Sequence, residues 1–395
     1  MAEAETAIHQ DASPPDDIPA DQVVTAGPPA AQAGGILTID LAAIEANWRA
    51  LGRRVVPAEC AAVIKADGYG CGIEQVAAAL AKAGCRTFFV ADLGEASRVR
   101  VVAPEQTIYV LNGLLPNTAA AYADIRARPV IGSMVELAEW DIFCNANAWR
   151  GGAALHVDTG MNRLGISVND AAALAHRIRS ENHGITLLMS HLVSAEEPEH
   201  PLNARQIEAF REVRVLYRGI PASLANSSGI FLGDKAHCDV VRPGAALYGV
   251  NPTPGQNNPM QPVIELQAHI VQLRTVPRGE TVGYNAAWTA KRATRIAVVA
   301  VGYADGFPRA ASASDAAPGG DALVAGERCP MAGRVSMDLL AVDITDLPDN
   351  ATRRGDLVTL IGGEMTVDAV ANAAGTIGYQ VLTSLGRRYH RVYRG

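Results

Sequence analysis

From residue 36 onward, short apolar runs alternate with longer amphipathic ones. The short runs are AAVIK (61–65), TFFVA (87–91), TIYVL (107–111), RPVIG (128–132), AALHVD (153–158), ITLLMS (185–190), ASLAN (222–226) and VVRPG (240–244). They read as strands buried on both faces, because they lack the polar alternation of a half-exposed strand. The stretches between them carry a helical period. In IEQVAAALAKAG, Ile73, Val76, Ala77 and Leu80 fall on one face, and Gly84 is placed to stop the helix. MVELAEWDIF and NDAAALAHRIRS follow the same rule. Alternating strands and helices give parallel pairing, and eight strands point to a closed (β/α)8 barrel. The competing open, doubly wound sheet would carry a glycine-rich dinucleotide loop after its first strand, and KADGYGCG is not one.

After about residue 260 the rhythm changes. IELQAHIVQLRTV, TRIAVVAVGYADG, LLAVDIT and DLVTLIGG are strand-like and closely spaced, with one helical piece, VDAVANAAG, among them. RRYHRVYRG reads as a last strand with a solvated basic face. Three segments follow: a disordered tail over 1–35, a barrel over 36–260 and a β-rich domain over 261–395. The tail is set apart by composition, with acids, Pro, Ala and Gly but no Lys or Arg, and no charged-then-apolar signal peptide.

Composition narrows the class. A net charge of −7 argues against a nucleic-acid partner. No apolar run reaches the roughly 20 residues that cross a bilayer. Six scattered cysteines without CxxC spacing suggest a reduced, cytoplasmic chain with no metal site.

Barrels of this class work at the C-terminal ends of their strands. Those ends offer Lys65, Asp92, Asn112, Ser133, the segment from Asp158 to Arg163, Ser190 with His191, Asn226 with Ser227, and Arg242. A polar, mostly cationic ring over apolar strands calls for an anionic or polar occupant. Lys65 taken alone reads more readily as a strand exiting into water than as a nucleophile. ANSSGIF and VRPGAALYG, after strands seven and eight, have the small residues and hydroxyls of a phosphate site, although Ser227 or Ser228 can equally serve as a helix cap. A lysine, a phosphate site and cationic surroundings suggest pyridoxal 5′-phosphate held through a lysine Schiff base. A phosphosugar aldolase shares these features, with its lysine on a later strand.

AAVIKADGYG, HVDTGMNRLG (156–165), SHL (190–192), ANSSG (225–229), VVRPGAALYG (240–249), GYNAAW (283–288), VGYADGFPR (301–309), GRVSMD (333–338) and TIGYQ (376–380) together resemble the alanine racemases, fold type III pyridoxal-phosphate enzymes, over nearly all the chain from residue 36. The resemblance implies a racemase that interconverts L- and D-alanine by two-base proton transfer and supplies D-alanine for peptidoglycan. By the same resemblance, Lys65 would carry the cofactor and act as one base. Tyr284 would be the other, coming from the partner subunit of a homodimer together with Met337, which would meet the substrate carboxylate. Tyr69, Ser227, Gly244, Ala245 and Tyr379 would hold the phosphate. Arg163 would face the cofactor's phenolic oxygen and the carboxylate. Arg242 would face the pyridine nitrogen, with His191 beside it, and Tyr303 and Arg309 would line the entrance. His156 departs from the family: many members carry there a lysine, carbamylated by CO2, that orients the arginine matching Arg163. Asn162 and Asn285 leave a racemase of wider amino-acid range as the near alternative. A non-catalytic pyridoxal-phosphate protein is the alternative of a different class.

Overall fold

The structure, a computed structural model, describes residues 24–178 and 184–395. All eight expected strands are present. They are Glu59–Cys60 continued by Ala62–Val63, then Thr87–Val90, Thr107–Val110, Ala127–Ile131, Ala153–Asp158, Ile185–Met189, Ala222–Ser223 and Val240–Val241. Neighbours pair in parallel from the first to the seventh. Asp239 N donates to Ala222 O and Arg242 N to Ala225 O, which brings in the eighth. The eighth pairs with the first through Val240–Glu59 and Val241–Cys60, and the ring is closed.

The barrel interior is packed with side chains from alternate strand positions: Ala61, Val63, Phe89, Tyr109, Val130, Ala154, Leu187, Met189 and Val240. A strand's side chains repeat every two residues. The next inward positions toward the mouth are therefore Lys65 after Val63, His156 after Ala154, and Arg242 after Val240. The polar layer begins where the apolar filling stops.

The helices Ile73–Ala83 and Met134–Asn147 form as their patterns predict, and Gly84 ends the first in a left-handed cap. Two residues of the expected ring have a local job instead. Asp92 accepts from Glu95 N and Ser133 from Glu136 N, so both cap the helices that follow them.

The C-terminal domain is a nine-stranded sheet. Its longest strand, Ile264–Val276, is alternately buried up to Ile270, then exposed until its buried last residue, Val276. The first half pairs with Gly35–Asp40 and Leu357–Ile361, and a register shift at Ile270 to Gln272 turns the second half onto Thr294–Val299. Two helices lie here rather than one, Val367–Ala373 and Gly378–Ser384.

Two sequence expectations need correction. Gly35–Asp40 belongs to this C-terminal sheet, between Ile264–Val276 and His390–Arg394. Val24–Ala26, assigned to the tail, forms an antiparallel edge strand on His390–Arg394. Low apolar content hides a strand that gains its stability from backbone pairing to a distant segment. Ala30–Gln32 forms a short helical turn, and residues 1–23 of the expected tail lie outside the described residues. The last strand, His390–Arg394, buries Arg391 and Tyr393 on one face and leaves the basic His390 and Arg394 half-buried on the other; Tyr389, just before it, is buried on the same side as Arg391.

Candidate active site

Lys65 is not the last residue of a strand. The strand ends at Val63, and Lys65 opens a turn in which Ala66, Asp67, Gly68, Tyr69 and Gly70 all have φ between 52° and 79°. This is a left-handed helical turn, which costs an L-residue about 1–2 kcal/mol per position. The turn is held from several sides. Gly68 N donates to Ile64 O and Gly70 N to Ala66 O. Glu95 accepts from Asp67 N at 3.1 Å and Ala91 N at 2.8 Å. Arg98 joins Asp67 at 2.7 Å to both oxygens of Glu74. From the last strand, Arg391 donates to Gly70 O at 2.6 Å and to the backbone oxygens of Leu385 and Gly386.

Four left-handed residues place Tyr69 against Tyr248, ring centroids 4.6 Å apart. Its hydroxyl lies so close to Gly244 that a Cβ there would collide with it. Ser227 Oγ accepts from Gly244 N at 3.0 Å and Ala246 N at 3.2 Å. It does not cap its own helical turn, and its O–H remains a donor. The short turn Ala245–Tyr248 follows. Tyr379, on the helix Gly378–Ser384, is near enough to raise the Tyr69 pKa further, after burial, the main cause. The structure thus brings Tyr69, Ser227, Gly244, Ala245 and Tyr379 into one neighbourhood. Two phenols, a hydroxyl and backbone N–H groups make a neutral donor set, which suits a phosphate.

Across the mouth, Arg242 is 3% exposed. It donates to Ser223 Oγ at 2.5 Å and Ser190 O at 2.6 Å, and its Nη2 lies 3.3 Å from His191 Nδ1. Burial lowers its pKa to about 10, so it is a cation at neutral pH. Burial first, then Arg242, then Arg163 push His191 down to about 3. Burial, then Arg242, pushes His156 to about 4. Both imidazoles are therefore neutral at physiological pH. The Lys65 ammonium is also weakened, by burial and then by Arg163, with Glu95 opposing. Arg163 is exposed at the end of a loop in which Asp158 Oδ1 accepts from the N–H of Gly160, Met161 and Asn162.

Tyr284, Met337, Tyr303 and Arg309 all lie on the C-terminal domain. Tyr284 is 67% exposed and Met337 53%. Tyr303 N and Ala304 N donate to Ser336 O and Met337 O, which ties the Tyr303 and Met337 loops together. Arg309 opens the next turn and is exposed. Among the described residues, no hydrogen bond, ion pair or ring contact joins Tyr284 or Met337 to Lys65.

Two family models match. "Alanine racemase, N-terminal domain" covers residues 39–252, and "Alanine racemase, C-terminal domain" covers 263–393. The chain belongs to the alanine racemase family. The alanine racemase of Methylobacterium sp. (strain 4-46) is 54% identical over 91% of this chain and 98% of its own. That of Methylobacterium nodulans is 56% identical over 91% and 96%. Among solved structures, the alanine racemase of Bartonella henselae with covalently bound pyridoxal phosphate superposes with a TM-score of 0.85 at 38% identity, over 91% of this chain and 99% of that one.

The residues present fit that cofactor. A lysine of weakened basicity stands at the barrel mouth, a neutral donor set clusters around a glycine whose Cβ would meet the Tyr69 hydroxyl, and a buried cation faces the same mouth. The sequence reading of this alanine racemase relative missed Glu95, Arg391, Tyr248 and Gln206. Glu95 was signalled by the Asp-x-x-Glu spacing of a capping box, and Arg391 by the period-two pattern of Tyr389, Arg391 and Tyr393.

Proposed function

We propose that Lys65 and Tyr284 are the two bases of an alanine racemase site shared between two copies of this chain. The enzyme is a pyridoxal-phosphate-dependent isomerase that interconverts L- and D-alanine. One observation carries the assignment of Lys65: it is the mouth lysine whose basicity is lowered by burial and Arg163, opposite an arginine and not a carboxylate.

When bound, pyridoxal phosphate links reversibly to the amino acid and acidifies its Cα–H. Tyr69, Ser227, Gly244, Ala245 and Tyr379 would hold its phosphate, and Arg242, fixed by Ser190, Ser223 and His191, would face its ring nitrogen. Arginine only donates and stays charged, so it gives that nitrogen no proton. Arg163 would orient the substrate carboxylate, helped by the partner's Met337 backbone. Inversion needs a proton removed on one face of Cα and returned on the other. Lys65 Nζ serves one face. Tyr284 Oη serves the opposite one, and its exposure on the C-terminal domain supports delivery to a partner. Tyr303 and Arg309 line the approach.

No helix among the described residues is long and apolar enough to cross a membrane. The six cysteines are all free, which supports a cytoplasmic location. Supply of D-alanine for peptidoglycan is the proposed physiological role, and relatives named biosynthetic and catabolic are similarly close, at 45% and 46% identity.

Borohydride treatment of the holoenzyme, mapping of the modified residue and a chiral assay on L-alanine test the proposal. The label is expected on Lys65, with loss of both label and racemisation in Lys65→Ala. A label elsewhere overturns it. A panel of other L-amino acids measures the substrate range. Intact racemisation in Tyr284→Phe would favour a one-base or purely binding role.

A further inference from the structure

The helix Pro201–Leu216 turns Asn203, Gln206, Phe210 and Val213 inward. Phe210 and Val213 are ordinary filling. The other two are amides, and a buried amide without partners costs about 1–3 kcal/mol. Gln206 is fully buried and uses both ends of its amide. Its Nε2 donates to Thr159 Oγ1 at 3.1 Å and to His191 O at 2.9 Å, and its Oε1 accepts from Val193 N at 2.9 Å. Thr159 Oγ1 lies 2.7 Å from Ser190 Oγ.

These contacts begin where the barrel ladder stops. Strands five and six pair as far as His156 with Met189. Beyond that pair the fifth strand leads through Asp158 and Thr159 to the loop bearing Arg163, and the sixth leads to Ser190 and His191. Ser190 O anchors Arg242, and His191 Nδ1 lies against the same guanidinium. A side chain from outside the barrel thus clamps two strand ends together just past their last backbone pairing.

We propose that Gln206 is a positioning residue for the racemisation, fixing the Arg163 loop relative to the Arg242–His191 pair. The inference rests on the reading in which Arg163 orients the substrate and Arg242 faces the cofactor ring. Misplacement of positioning groups by about 1 Å costs up to roughly 100-fold in rate.

The test uses holoenzyme variants Gln206→Met, Thr159→Val, Thr159→Ser and the double variant Gln206→Met/Thr159→Val. Gln206→Met is expected to raise KM for L-alanine and lower kcat, each by about 10-fold, and to move the absorption maximum of the bound cofactor. Thr159→Ser keeps the hydroxyl and should stay near the parent, whereas Thr159→Val should behave like Gln206→Met. The double variant should fall short of the product of the single effects, because the two share one hydrogen bond. The inference is overturned if Gln206→Met leaves kcat, KM and absorption unchanged, whatever its thermal midpoint, or if Thr159→Val and Thr159→Ser are indistinguishable. If Gln206→Met does not fold, the Thr159 pair decides. If the parent racemises no amino acid, the functional reading falls and the absorption maximum alone decides on Gln206.

Discussion

At the scale of single residues, His156 and His191 carry a consequence for pH. Both are neutral in the folded chain, with pKa values lowered to about 4 and about 3, mainly by burial. An unfolded chain takes up protons on these rings near pH 6.5, and the folded chain does not. Stability is therefore full above about pH 6.5 and falls as pH drops toward 4, at about 1.4 kcal/mol per unit for each ring. Urea midpoints of the holoenzyme at pH 7 and pH 5 will show this loss, and His156→Gln should remove about half of the histidine share of the slope. An unchanged slope would mean that the His156 ring takes up protons alike in the folded and the unfolded chain. Sequence marked His156 as a departure from its family. Its inward direction was also legible, because it sits two residues from Ala154 on a strand. Its neutrality was not, since it follows from burial first, and then from two arginines that converge from strand eight and from a loop.

At the scale of elements, the left-handed turn after Lys65 is the unusual one. Gly68 and Gly70 signalled a turn, but nothing in KADGYG announces that Ala66 and Asp67 adopt positive φ as well. That conformation is imposed by Glu95, Arg98 and Arg391, which come from elsewhere in the chain. Gly70→Ala is predicted to lose about 1–2 kcal/mol from backbone strain. Its Cβ would also run into Leu382 O on the helix that carries Tyr379. Spreading Tyr69 from Tyr379 should weaken cofactor binding about 10-fold, a loss of roughly 1.4 kcal/mol, readable by titrating the apoenzyme with pyridoxal phosphate. Gly244→Ala should weaken it too, by pushing the Tyr69 hydroxyl aside. Equal affinity in both variants would remove these groups from the proposed phosphate site. The barrel strands were legible because each is apolar on both faces. The clamp by Gln206 was not, because an amide on an amphipathic helix reads as part of its solvated side.

At the scale of the whole molecule, the site is assembled from segments far apart. Lys65, Arg163 and Arg242 gather at one barrel mouth, while Tyr284 and Met337 stay exposed on the C-terminal domain. If the proposed homodimer shares its sites, mixing inactive Lys65→Ala with inactive Tyr284→Phe restores activity. Each mixed dimer then has one site with both residues intact, and random reassortment returns about a quarter of the parent activity. Size-exclusion chromatography of the mixture checks the assembly, and activity that stays at zero in confirmed mixed dimers rules out sharing. The two-domain division was legible in the change from alternating strand–helix units to closely spaced strands. The membership of Gly35–Asp40 in the second sheet was not, because its partners lie more than 200 residues away in sequence.

Arg391, from the last strand, grips the turn that starts at Lys65. During synthesis, all eight barrel strands have left the ribosome about 150 residues before Arg391 does. At roughly 5–20 residues per second, that delay is on the order of 8–30 s. A nascent barrel therefore carries its lysine before the bond from Arg391 exists to brace the turn, and the final bracing of the proposed cofactor lysine is a late event in translation.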